Sequence, residues 1–248
     1  MNPAFRYTHY RQMTHALKDG RDIVGYEEAA AANADAPIAL LRHDIDICLD
    51  AALAIAEIEA EEGVTATYFL RLNGTFYNPL SRRGAPIVQR ILELGHDIGL
   101  HFDVEHYRAI GVDDRSGILA EIGILEAAFD AKVWAFSQHR PFVLGQSPIK
   151  DDPDLAPRFA YAPCFTETMK YISDSGQNWR EGDVLSHLHE PRLHVLTHPI
   201  WWSEDGAPWQ DLLRAAAARE AAAMTDKADI LVERYAAYLE NRDKGNAA

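Results

Sequence analysis

Cysteine and positive charge are both scarce in this chain, and long apolar runs are missing. Cys48 and Cys164 are its two cysteines among 248 residues. They form no ligand-spaced pair and no CxxC unit, so they read as small buried hydrophobes rather than as a zinc-thiolate or dithiol site. Lysine and arginine number 24 against 38 aspartates and glutamates, a net charge of -14. That balance repels a phosphate backbone, and nucleic acid is not an expected partner. No stretch approaches the roughly 20 apolar residues of a membrane span. The polar, aromatic residues 1–12 lack the apolar centre of a secretion signal, and the expected compartment is the cytoplasm.

What is present is enough apolar material, 48% of the chain, to bury a substantial core. No internal repeat or Gly/Ser linker divides it, and a single domain over 1–248 is expected, with residues 1–36 as a helical lead-in and 206–248 as closing helices. Tyr10, Met13 and Leu17 recur at helical spacing before Gly20. From there short β-branched or aromatic runs alternate with longer amphipathic ones. A strand is predicted over 38–47, a helix over 49–62 stopped by Gly63, and a strand over 65–72. A helix follows from Pro86 to Gly95, then a strand over 97–102, a helix over 117–129 and a strand over 133–137. Short apolar runs at 171–173 and 193–196 extend the series. Such alternation predicts an α/β fold with a parallel sheet wrapped by helices. Residues 141–163 read as loop over a site, and 209–238 as one or two helices with Leu212, Leu213, Leu231 and Tyr235 available for packing.

In folds of this class reactive side chains gather where strands end. Arg42-His43-Asp44-Ile45-Asp46 closes the first strong strand, with Asp44 and Asp46 on one side by the period of two. Two carboxylates held this close share a proton or hold a cation. His101 and Asp103 end a second strand on one face, with Glu105 and His106 just beyond, a mixture suited to a divalent ion. Ser137-Gln138-His139-Arg140-Pro141 follows a third strand. Leu196-Thr197-His198-Pro199, followed by Trp201 and Trp202, ends the last one, as a general acid beside an aromatic wall would.

Four strand-end clusters in this order resemble the polysaccharide deacetylases, carbohydrate esterase family four. The resemblance runs from about Ile38 to Trp202 and is strongest to the bacterial lipopolysaccharide-biosynthesis branch, through His43 to Asp46, the stretch Gly95 to Asp103, Thr67 to Phe69, and Tyr171 to Gly176 leading to Trp179. It implies a deformed (β/α) barrel of about seven parallel strands and a hydrolase that removes an N-acetyl or related acyl group from an amino sugar. It further implies Asp44 as general base, Asp46 and His101 as metal ligands, Arg140 as the residue orienting the base and His198 as general acid. Asp174, Trp179, Trp201 and Trp202 would support or line the substrate pocket. One divalent ion is implied, zinc foremost, although mixed N/O ligands accept others. Ile45 separates two aspartates that are usually adjacent, so base and ligand are exchangeable. Glu105 stands where a second histidine is usual, which leaves the third ligand to His139, His106 or Asp103, with His139 preferred. Two other readings remain open: a metal-independent amidohydrolase acting on a small amide or ureide, and a non-catalytic carbohydrate-binding barrel.

Overall fold

The computed structural model describes residues 2–245. Seven strands form one all-parallel sheet: β1 (Asp22–Ile23), β2 (Ile38–Ile45), β3 (Thr67–Leu70), β4 (Asp97–Phe102), β5 (Phe136–Gln138), β6 (Lys170–Ser173) and β7 (Arg192–Thr197). Their order is β5-β4-β3-β2-β7-β6, with β1 also pairing to β2. The two end strands do not pair with each other, yet Gln138 of β5 and Tyr171 of β6 line one cavity. The sheet therefore curls into a half-barrel, and residues 139–169 cross its open side as short helical turns, among them α7 (Pro141–Leu144) and α8 (Pro163–Thr166).

Outside the sheet lie α1 (Tyr7–Leu17), α3 (Leu49–Glu62), α4 (Gly84–Glu93), α5 (Val104–Ile110) and α6 (Asp114–Phe129), while α2 (Tyr26–Ala31) sits near the foot of the barrel. α3 buries Ala52, Ile55, Ala56 and Ile58 and stops at Gly63, whose φ of 68° is the left-handed cap that glycine tolerates best. α5 was not anticipated from the sequence. Asp103, read there as a possible ligand, is its N-cap and accepts from the backbone N–H groups of Glu105 and His106.

β2 carries the logic of the site. Ala39, Leu41 and Ile45 pack with the outer helices, whereas Ile38 and Leu40 join Phe69, Tyr26 and Phe165 in an interior plug. The same inward face continues with Arg42, Asp44 and Asp46, so one strand passes from hydrocarbon at the foot to charge at the mouth. Gly99 on β4 is required by this packing, since a Cβ there would stand 2.6 Å from the Phe69 ring.

The expected closing helices are one helix, α9 (Trp209–Gly245), of 37 residues. Leu212, Leu213 and Ala216 dock on Cys48 and Ile200, and Glu220 reaches Arg83. Leu231 and Tyr235, expected to pack, are exposed instead. No helix among the described residues is long and apolar enough to cross a membrane.

Candidate active site

Five strand-end residues predicted to act together, Asp44, Asp46, His101, His139 and His198, line one cavity with Leu196, Tyr161 and Tyr171. Asp46 Oδ1 lies 3.3 Å from His101 Nε2 and 3.6 Å from His139 Nε2, and Asp46 Oδ2 lies 4.0 Å from His198 Nε2. Burial opposes ionisation of Asp46, but His101, His198 and His139 outweigh it and hold the carboxyl below the usual range.

Each imidazole is fixed from behind. His101 Nδ1 lies 2.7 Å from Ser137 Oγ, its direct partner in the β4–β5 register. His139 Nδ1 lies 3.3 Å from Asp103 Oδ2, and Asp103 is also gripped by Arg71 at 2.6 Å. Asp103 thus orients a histidine and caps a helix, and its oxygens are spent. His106 lies on α5 and its ring meets Tyr107. Of the three side chains weighed as a further ligand, His139 is the one that approaches Asp46.

His198 Nδ1 donates to Asp174 Oδ1 at 2.7 Å. Asp174 is fully buried and accepts also from the His198 backbone N–H and from Trp202 Nε1 at 3.0 Å. Burial alone would lower the His198 pKa, but the Asp174 hydrogen bond and charge, with Asp46 and Asp44, raise it to about 9. The ring is therefore cationic at neutral pH, as a proton donor requires.

The expected supports of the site are rearranged. Arg140 does not orient Asp44. Its backbone is left-handed, with φ 54°, and its half-exposed side chain turns out to Glu105 at 3.5 Å. Arg42 does the orienting, two residues back on the same strand face. Its Nε and Nη2 donate to the two Asp44 oxygens at 2.9 and 2.8 Å, and it rests on the Tyr161 ring at 4.5 Å. Burial pushes the Asp44 carboxyl up, but Arg42 foremost and then His101 bring it below its ordinary value. A charged residue inside an apolar parallel strand was the available signal for Arg42.

Asp174, Trp202 and Trp179 are not among the residues that line the cavity. Trp202 packs on Phe5 and Tyr10, and Trp179 on Phe5 and Trp202. Trp201 alone of the three tryptophans stands beside His198, with ring centroids 6.2 Å apart. On the outer face of β2, His43 joins Thr197 Oγ1 at 2.7 Å to the buried Glu59 at 2.8 Å, and Tyr10 and Tyr68 donate to the same carboxylate. This network fastens α1, α3, β2, β3 and β7 behind the cavity.

No protein-family model matches the chain, and no curated protein does. Solved structures do. It is similar to a CE4 family pseudoenzyme from Bacillus anthracis at 18% identity and a TM-score of 0.46, over 75% of this chain and 63% of that one. A family 4 carbohydrate esterase from Bacillus anthracis aligns at 14% identity and 0.43, over 84% and 83%. A Streptococcus mutans CE4 esterase aligns at 16% and 0.46, over 86% and 96%. The chain spans less than two thirds of the length of the pseudoenzyme.

As they stand, no three His, Cys, Asp or Glu side chains among the described residues are gathered tightly enough to hold a metal ion. Two observations nevertheless fit one. Asp46 Oδ1 is buried and has no hydrogen-bond partner among the described residues. Its 3.3 and 3.6 Å separations from two Nε2 atoms are close to the edge of about 3.3–3.4 Å of a tetrahedron with bonds of about 2.0–2.1 Å. One carboxylate and two imidazoles held from behind are the donor chemistry of a divalent site.

Proposed function

We propose that the chain is a metal-dependent hydrolase that removes an N-acetyl or related acyl group from an amino sugar of a polysaccharide or its precursor, in the cytoplasm and in the manner of the lipopolysaccharide-biosynthesis deacetylases its motifs resemble. The observation that carries this reading is the unpartnered Asp46 Oδ1 between two imidazoles, with a cationic His198 facing the same carboxylate.

Asp46, His101 and His139 would hold one divalent ion, zinc or another. Such an ion polarises an amide carbonyl and lowers the pKa of water. The protein's own groups then divide the proton work. Asp44, kept ionised and aimed by Arg42, retains a free lone pair and accepts the proton of the attacking water. The water oxygen bonds to the acyl carbon, the C–N bond breaks, and His198 delivers its proton to the departing nitrogen. The products are a carboxylic acid and an amine. Trp201 offers an apolar surface beside this acid for a sugar face.

Protein prepared without chelator or affinity nickel should contain about one divalent ion per chain, and it should release acetate from an N-acetylated sugar or oligosaccharide. His139→Ala and Asp46→Ala should each lower metal content by tenfold or more after dialysis against a weak chelator, read by elemental analysis. Full occupancy in either variant removes that residue from the ligand set. Acetate release by rigorously metal-free protein would favour the metal-independent amidohydrolase instead.

The pH profile tests the acid. A donor must be protonated, so turnover should persist below about 9, the value to which His198 is raised, and decline above it. Asp174→Asn removes the largest upward influence on that ring, and the alkaline limb should move to lower pH. An unmoved limb would assign it to another group.

A further inference from the structure

A second cavity adjoins the catalytic one. It has a volume of about 150 Å³, against about 140 Å³ for the first, and Phe142, Tyr171 and Ser175 line both. A sugar ring seated against His198 in the first cavity therefore has a neighbouring compartment for one of its substituents. The wall of that compartment carries two formal charges, Arg180 and Glu181. Glu181 is compensated by Lys170, whose Nζ lies 2.5 Å from Oε2. The exposed Arg180 guanidinium has no hydrogen bond or ion pair to any described residue, on a chain whose net charge is -14. The Ser173 and Ser175 hydroxyls, 2.8 Å apart, share one hydrogen bond and so keep a donor free between them.

Most arginines that frame the half-barrel are spent on structure: Arg42 on Asp44, Arg71 on Asp103 and Arg158 on the Val133 and Trp134 carbonyls. An uncompensated guanidinium offers a planar fork matched to carboxylate and phosphate. It also reverses, locally, the field that the net charge of the chain turns toward anions.

We propose that this cavity is a subsite for an anionic group, a phosphate or a carboxylate, borne by the amino-sugar substrate, with Arg180 as the group that grips it and the Ser173–Ser175 pair as neutral partners. The proposal rests on the deacetylase reading for the word substrate, but the binding it asserts is measurable without turnover.

Isothermal titration of the full chain with glucosamine, its 6-phosphate and its 6-carboxylate makes the test, since none of the three has an amide to cleave. At least one anionic sugar should bind tenfold or more tightly than glucosamine, and the tighter of the two tells phosphate from carboxylate. In Arg180→Ala the anionic-to-neutral ratio should fall to within about twofold of one, and Arg180→Lys should keep part of it. Equal affinities in the unaltered chain, binding of no anionic probe, or a preference that survives Arg180→Ala would each overturn the subsite. Failure to release acetate from any N-acetyl sugar, with an Arg180-dependent preference intact, would overturn the deacetylase reading and leave the subsite standing.

Discussion

Replacing Arg42 with methionine is expected to destabilise the folded chain by about 3–5 kcal/mol, the usual consequence of removing one partner of a buried ion pair. Arg42 is wholly buried and Asp44 is 3% exposed, so water cannot take over the two lost hydrogen bonds. The variant strands a carboxylate in the barrel interior and deprives the Tyr161 hydroxyl of its contact. Without its cation, burial is expected to push the folded-state pKa of Asp44 above that of the unfolded chain. The deficit is then relieved where Asp44 is protonated and deepens as pH rises through that pKa. The urea midpoint should drop with an unchanged slope, and by less in mildly acidic than in mildly alkaline buffer. The double variant Arg42→Met/Asp44→Leu separates this cause from lost packing. It removes both charges together, and most of the stability should return while activity does not. A single variant as stable as the unaltered protein would show that Arg42 does not hold Asp44.

His198→Gln should lower the turnover number about a hundredfold to ten-thousandfold, the range associated with a positioned general acid. An amine departs poorly as an anion, and the buried Asp174 carboxylate raises the His198 pKa to about 9. The fold should survive, because Asp174 keeps three of its donor contacts, two from the His198 backbone N–H and one from Trp202 Nε1. Melting temperature and metal content near those of the unaltered protein, with the alkaline limb gone, are the expected pattern. Near-normal turnover would remove His198 from the chemistry, and wholesale unfolding would make it a packing residue.

Much of this arrangement is legible in the sequence, for identifiable reasons. The period of two along β2 put Asp44 and Asp46 on one face, and the strand at 97–102 did the same for His101 and Asp103. Backbone geometry imposes that period whatever the tertiary context. The C-terminal end of the helix at 49–62 was legible because Gly63 marks its stop. What escaped depends on contacts between distant segments. Arg140 was expected to orient Asp44 through the resemblance, but its backbone takes a left-handed turn and its side chain reaches Glu105, while Arg42 holds Asp44. Trp202 looks like a sugar platform until α1 covers it with Tyr10. Asp103 has ligand chemistry, but Arg71, thirty-two residues earlier, and the amides of α5 claim it first. The apolar positions at Leu231 and Tyr235 suggested packing, but both side chains are exposed among the described residues.

The strand order also sets a schedule. β7 lies between β2 and β6, so the sheet stays open at its middle until the last strand has been synthesised. Leu41 and its partner Val195 are far apart in the sequence, and pairings of such long separation form slowly. His198 follows β7 immediately. A growing chain therefore presents Asp44, Asp46, His101 and His139 on an unfinished sheet until β7 follows, and His198 arrives with the strand that closes the gap. Completion of the sheet and completion of the candidate site are, in time, a single event.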